Sequence, residues 1–187
     1  SAEACVHHLH FNDQAYDSHG SLIKWNPAIK SEQDRLGLIQ ALKANKLDII
    51  ATDHAPHTLL EKNQPYLGSL SGGPLVQHAL PALFELYHDG LLTLEQLVQK
   101  TSHNVAELYR MKDRGYLREG YYADLVLVNT NSPWEVSTAN ILSKCGWSPF
   151  TGKTFRSSIN KTFVNGSLVY DSGKINQTTT GKRLIFE

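Results

Sequence analysis

A carboxylate and two imidazoles lie together in the run Thr52-Asp53-His54-Ala55-Pro56-His57, directly after the apolar stretch Leu47-Asp48-Ile49-Ile50-Ala51. A buried strand is expected over Leu47–Ala51. That places the three polar groups at its C-terminal lip, where α/β folds put their chemistry. Asp53 there can bind a divalent metal or take a proton from a metal-activated water. His57, beyond a turn-favouring proline, can face the same cavity. Alternatively, Asp53 only caps a turn and the histidines hydrogen-bond beside it; the strand-end position ahead of a long loop favours a site.

Other chemistry-bearing residues are less sharply placed. A short buried strand is expected over Ala2–Val6, ending at His7-His8. Neighbours on a strand point to opposite faces, so His7 and His8 are not expected to share a metal. Glu3 falls in the same strand, and a buried Glu must orient a ligand, bind metal itself or pair with a base. Asn26, ahead of Pro27, sits in a loop expected on the same face as Asp53. Its amide either reads a carboxylate or ring amide of a substrate, or simply opens an Asn-Pro turn. Ser71-Gly72-Gly73 either presents backbone N–H groups to an anion or is flexible spacing before a helix. His10, His19, His78, His88 and His103 show no ligand spacing and read as surface or satisfied core residues. Trp25, Trp134 and Trp147 read as packing groups, and Cys145 as buried rather than reactive.

The elements that must position these groups follow a strand, loop, helix, strand, loop order, the βαβ cadence of a parallel sheet or barrel. Turn signals at Asp17, Ser18, Gly20 and Asn26-Pro27 mark a long first loop. Ser31 with Asp34 forms a capping box for a helix whose inner face is Leu36, Ile39 and Leu42, with Asn45 as its stop. A long loop is expected from His54 to Gly73. An apolar helix follows over Leu75–Tyr87, with Pro81 either kinking it or opening its first turn. Thr93 with Gln96 caps another, and Ser102 a last one carrying Val105, Leu108 and Tyr109. After Gly115 the pattern changes to a buried strand over Ala123–Val128 and a hairpin over Ser157–Tyr170 turning at Asn165-Gly166. A polar tail runs from Gly173 to Glu187.

The 187 residues carry 18 Lys+Arg and 18 Asp+Glu, so nothing suggests a nucleic-acid stripe or a polybasic membrane patch. No apolar run approaches a bilayer span and no signal peptide is visible. Two cysteines, Cys5 and Cys145, make no disulfide framework, so a cytoplasmic location is expected. The chain opens without Met on a residue run that already reads as a strand, and is expected to be part of something longer.

The run Thr52-Asp53-His54-Ala55-Pro56-His57-Thr58, with Glu61-Lys62 after it, resembles the signature of the dihydroorotases of the amidohydrolase superfamily. Ala2-Glu3-Ala4-Cys5-Val6-His7-His8-Leu9 resembles that family's penultimate barrel strand, Asn26-Pro27-Ala28-Ile29-Lys30 its substrate loop, and Arg118-Glu119-Gly120 through Ala123-Asp124-Leu125-Val126 the strand joining its appended β domain. The resemblance implies an α/β fold: residues 1–112 as the last strands and helices of a (β/α)8 TIM-type barrel, and residues 113–187 as part of a small β-sandwich. It implies reversible, zinc-dependent cyclisation of N-carbamoyl-L-aspartate to dihydroorotate in pyrimidine biosynthesis. Asp53 would bind the catalytic Zn2+ and shuttle a proton; Asn26, His57, Ser71 and Gly72 would hold substrate; Glu3 matches a position that can approach an additional metal. One to three zinc ions are implied. The family's His-x-His pair, bridging lysine and two further histidines belong to earlier strands, so an upstream segment is expected as a partner and the chain alone is expected to be inactive. A homo-oligomer or aspartate transcarbamoylase is a further candidate partner. Two alternatives stay open: a catalytically silent dihydroorotase-like scaffold subunit for aspartate transcarbamoylase, and a hydantoinase or allantoinase.

Overall fold

The computed structural model describes residues 1–177 and 181–187. Of the polar tail expected from Gly173, residues 178–180 therefore lie outside the described residues. Two strands, β1 (Glu3–Cys5) and β2 (Ile49–Ala51), form a parallel pair in the register Glu3↔Ile49, Ala4↔Ile50 and Cys5↔Ala51. Between them the chain passes through α1 (Val6–His10), short helical turns at Asp13–Ala15 and Gly20–Ile23 flanking α2 (Tyr16–His19), and the long α3 (Glu32–Lys43). A parallel pair needs such a crossover, and a helix supplies it. After β2 come α4 (Leu59–Lys62), α5 (Ala79–His88), α6 (Leu94–Val98) and α7 (Asn104–Leu108).

Local sequence explains where most of these begin. Ser31 accepts from the Asp34 N–H while the Asp34 carboxylate accepts from the Ser31 N–H, closing the expected capping box of α3. Ile39 and Leu42 are buried on its inner face, whereas Leu36 is 39% exposed. Asn45 takes a left-handed φ of +55° just past the end of α3. Pro81 sits in the first turn of α5, where its missing N–H has no partner to lose. Thr93 and Gln96 box the start of α6 as expected.

Four expectations are corrected. The first strand stops at Cys5, and His7 and His8 belong to the helical turn α1 instead of a strand end. The loop after His54 contains α4, boxed by Thr58 and Glu61. No new helix starts at Ser102: α6 runs through a π-helical turn at Gln99–His103 into α7. Finally, the strand after Gly115 is half-exposed, with Val126 at 45% and Leu127 at 50%.

That strand, β3 (Leu125–Asn129), begins an antiparallel sheet of order β3-β6-β7-β8, with β6 (Ser158–Val164), β7 (Ser167–Asp171) and β8 (Lys174–Ile175). β6 and β7 form the expected hairpin, turning at Asn165 (φ +52°) and Gly166 (φ +82°), the paired positive angles of a type I′ turn. β3 is half-exposed because, among the described residues, its one strand neighbour is β6, so one edge and much of both faces meet solvent.

β4 (Trp134–Glu135) and β5 (Thr154–Phe155) make a separate antiparallel pair. Their surroundings feed the main core: Val136, Phe150 and Phe155 cluster with Val6, Leu9, Trp25 and Leu86. Arg156 reinforces the join, its backbone N–H and Nε each 2.9 Å from the carboxylate of Glu85 on α5. No helix of the described residues is long and apolar enough to cross a membrane.

Candidate active site at the ends of the parallel strands

Cys5 and Ala51 are the last residues of β1 and β2 and lie opposite one another, so the segments that follow them emerge on one edge. Burial of Ile49 and Ile50 anchors β2 and delivers Thr52-Asp53 to that edge. Asp53 has a left-handed φ of +47°, a conformation that Asp tolerates better than most residues but still uncommon outside glycine. Its carboxylate is exposed and makes no hydrogen bond or ion pair among the described residues. Both oxygens are available to a ligand.

The neighbouring imidazoles have different tasks. His54 Nδ1 accepts from the N–H groups of Leu75 and Val76 at 3.0 and 3.2 Å, tying the β2 exit to the approach to α5. His57 Nε2 lies 3.1 Å from the carbonyl oxygen of Ser71, which can only accept, so this nitrogen carries the hydrogen. The His57 carbonyl accepts from the Trp147 indole at 2.7 Å. The structure thus brings His57 and Ser71 together. Asn26 is exposed ahead of a cis peptide bond to Pro27, and its amide is free of hydrogen bonds among the described residues.

Gly72 is engaged on both sides. Its N–H donates to the Lys24 carbonyl at 2.9 Å and its carbonyl accepts from Lys62 Nζ at 2.7 Å. Its φ is +125°, and a Cβ there would come within 2.6 Å of the Ala55 Cβ. Gly72 therefore shapes the loop by close approach, and its N–H is already committed to Lys24.

Sequence reasoning missed the group that holds this loop. Lys62, at the end of α4, is fully buried and donates to the carbonyls of Lys24, Leu70 and Gly72 at 3.1, 2.9 and 2.7 Å. Burial, with the nearby Lys24 charge, pulls its pKa down to about 8. Lys24 in turn donates to the carbonyls of Tyr66 and Ser69 at 2.7 and 2.6 Å. Two lysines thus gather carbonyls of a segment with little secondary structure. Apart from its place after Glu61 in the run that resembles the family signature, the local signal for Lys62 is the Thr58/Glu61 box that positions it.

On the β1 side, Glu3 is exposed, not buried, its face of β1 being uncovered by the described residues. Cys5, His7 and His8 converge, their ligand atoms all within 4.8 Å of one another. This overturns the expectation that His7 and His8 diverge: in a helical turn neighbouring side chains are about 100° apart, not 180°, and the two rings stand 4.1 Å apart. Burial, with Glu3 and Asp53 adding negative charge, pushes the Cys5 thiol up to about 11. Burial, with His8, holds His7 down to about 3.

The arrangement offers a free carboxylate on a strained residue, a histidine fixed to a loop carbonyl, and an exposed amide, all on segments leaving the C-terminal ends of parallel strands. Residues 4–169 match the family model described as the amidohydrolase family. Among curated proteins, the chain is 34% identical over 170 residues to the dihydroorotase of Wolbachia sp. subsp. Drosophila simulans (strain wRi), covering 91% of this chain and 38% of that one. It is 36% identical over 172 residues to the dihydroorotase of Clostridioides difficile (strain 630), covering 91% and 40%. Among solved structures, the L-hydantoinase of Arthrobacter aurescens superposes with a TM-score of 0.89 at 23% identity, over 93% of this chain and 40% of that one. A dihydropyrimidinase from Brevibacillus agri NCHU1002 gives 0.83 at 23%, over 92% and 40%. The chain spans about two fifths of the length of the relatives it matches, and its likeness to the solved structures is one of fold.

Proposed function

The chain belongs to the amidohydrolase family, and we propose that it is the C-terminal part of a dihydroorotase, interconverting N-carbamoyl-L-aspartate and dihydroorotate in pyrimidine biosynthesis. In this proposal residues 1–112 supply the last strands and helices of a (β/α)8 barrel and residues 113–187 part of an appended β-sandwich. The relatives at 34% and 36% identity support the substrate assignment. The hydantoinase likeness is confined to the fold and favours no other substrate.

The observation that carries the proposal is the Asp53 carboxylate, exposed and unpaired at the end of β2. It fits a divalent metal as one donor, of the three or four that Zn2+ takes from protein; the others belong, by family resemblance, to earlier strands. When bound, the metal supplies Lewis-acid polarisation of the carbonyl and a lowered pKa for the attacking water. Asp53 would help hold the ion, take the proton that the attacking water loses as it adds to the carbonyl, and return it to the ring nitrogen as the ring opens. His57 and Ser71, tied to each other, contact the substrate as one unit, and the Asn26 amide reads its carboxylate. Gly72 shapes this wall without donating to it. Glu3 is reserved for a second ion.

The test is ring opening of dihydroorotate, hydantoin and allantoin by zinc-loaded protein in which this chain is joined to the segment carrying the remaining donors. Dihydroorotate should be the preferred substrate, and Asp53→Asn should lose more than about a hundredfold in rate. Faster opening of hydantoin, or an Asp53→Asn variant as active as the parent, would overturn the assignment. Zinc loading with no turnover of any of the three would favour the silent scaffold.

A further inference from the structure

We propose that Cys5, His7 and His8 form a second, soft-metal site that binds Zn2+ independently of Asp53. Among the described residues these three bring one sulfur and two imidazoles within 4.8 Å of one another. Tetrahedral Zn2+ with one sulfur and two nitrogens spaces its donors roughly 3.3–3.6 Å apart, a contraction that side-chain rotation supplies. Three protein donors leave a fourth position for water.

His7 points to a ligand most directly. It is fully buried, and neither ring nitrogen has a hydrogen-bond partner among the described residues. Buried polar groups without partners are uncommon, and a bound ion would satisfy this one by taking up a ring lone pair. Trp25 stacks on the His7 ring at 4.4 Å and 15°, which fixes the plane of the imidazole. His8 is oriented from behind: its Nε2 lies 2.8 Å from the Pro27 carbonyl oxygen. A carbonyl only accepts, so the hydrogen sits on Nε2 and Nδ1 keeps the free lone pair. Metal-binding histidines are commonly held by such an outer hydrogen bond.

The donor set selects the ion. One thiolate with two imidazoles suits Zn2+ and disfavours Mg2+ and Ca2+, which want oxygen. Binding forms the S–Zn bond as the Cys5 thiol gives up its proton to solvent. The negative charges of Glu3 and Asp53 bear on Cys5 and favour a cation beside it. None of the three ligands belongs to the donor set assigned above to the catalytic metal, so the proposal stands apart from the dihydroorotase assignment.

Co2+ alone, titrated into the 187-residue chain, is the probe. A thiolate-to-Co2+ charge-transfer band in the near ultraviolet should appear to one equivalent and be removed by one equivalent of Zn2+. Cys5→Ser should abolish the band, His8→Asn should weaken Co2+ binding at least about tenfold, and Asp53→Asn should keep the band, with a smaller loss of affinity than His8→Asn. Far-ultraviolet circular dichroism on each sample separates lost ligands from lost fold. A folded wild-type chain with no thiolate band would overturn the site. So would a band that survives Cys5→Ser, which would belong to Cys145, or one lost equally in Asp53→Asn, which would belong to the metal at Asp53.

Discussion

Lys62 Nζ lies 2.7 Å from the Gly72 carbonyl oxygen, and the Gly72 N–H closes the circuit by donating to Lys24, whose own carbonyl accepts from Lys62. One buried ammonium therefore ties the end of the loop that carries His57 and Ser71 to the Lys24 segment. Lys62→Met keeps the apolar stem but removes one donor each from the Lys24, Leu70 and Gly72 carbonyls, of which the Lys24 carbonyl keeps the Gly72 N–H. It should destabilise the chain by about 1–3 kcal/mol, the range for leaving a buried hydrogen-bonding group unsatisfied. Urea unfolding followed by tryptophan fluorescence measures this, and Trp147, 6.0 Å from Lys62 Nζ, reports locally. A loss under about 1 kcal/mol would show that the ammonium does not hold the loop.

Gly72 separates two effects that usually travel together. Gly72→Ala meets the Ala55 Cβ at 2.6 Å and must also adopt a φ of +125°. The expected loss is about 1–3 kcal/mol from each source. Adding Ala55→Gly relieves only the clash, so the double variant should recover part of the lost thermal stability. Full recovery would mean the backbone angle costs nothing there.

Stability should fall as pH drops from about 6.5 toward 4 on account of His78. Burial holds this imidazole neutral down to about 4, against about 6.5 when unfolded. Between those values the unfolded chain binds the proton and the folded one does not, so acid favours unfolding; below 4 this contribution is gone. The full window is worth about 3 kcal/mol at most. His78→Leu should therefore narrow the difference in urea midpoint between pH 7 and pH 4, and an unchanged difference would rule out His78 as its source.

Arg156 bridges Glu85, whose side chain is 9% exposed, and Asp89, which is 53% exposed. Arg156→Ala takes the cation from a nearly buried carboxylate that keeps only the backbone N–H of residue 156, and with the Arg side chain 44% exposed it should cost about 1–3 kcal/mol. Asp89→Ala, at the solvent end of the same network, should cost under about 1 kcal/mol. Equal losses in chemical denaturation would contradict that ordering.

Elements fixed by neighbouring residues were legible in the sequence. Ser31 with Asp34, Thr93 with Gln96, and Asn165 with Gly166 each act within a few residues, and each stands where its spacing placed it. Thr58 with Glu61 carries the same spacing, but the helix it starts is only four residues long and leaves no periodicity to see. The convergence of Cys5 with His7 and His8 was hidden for a related reason. Whether two adjacent histidines diverge or meet depends on which residue ends the strand, and Cys5 is followed by a helical turn that no apolar pattern announced. Lys62 was illegible in another way, since one of the carbonyls it binds lies far back in the chain, on Lys24.

The π-helical turn at Gln99–His103 keeps two flanks of one helix in phase with two different neighbours. Lys100 Nζ reaches Asn45 Oδ1 and the Leu47 carbonyl at 2.9 and 2.7 Å, and Asn104 Nδ2 reaches the Asp48 carbonyl at 2.6 Å. On another flank His103 Nδ1 meets the Gly115 carbonyl at 2.7 Å, and Ala106 fits where Gly115 has no Cβ. Deleting one residue from the turn would restore regular winding and rotate everything beyond it by roughly 100°. Asn104 and His103 would then both miss their carbonyls, so the wide turn works as a vernier that lets one rod mesh with two scales of different pitch.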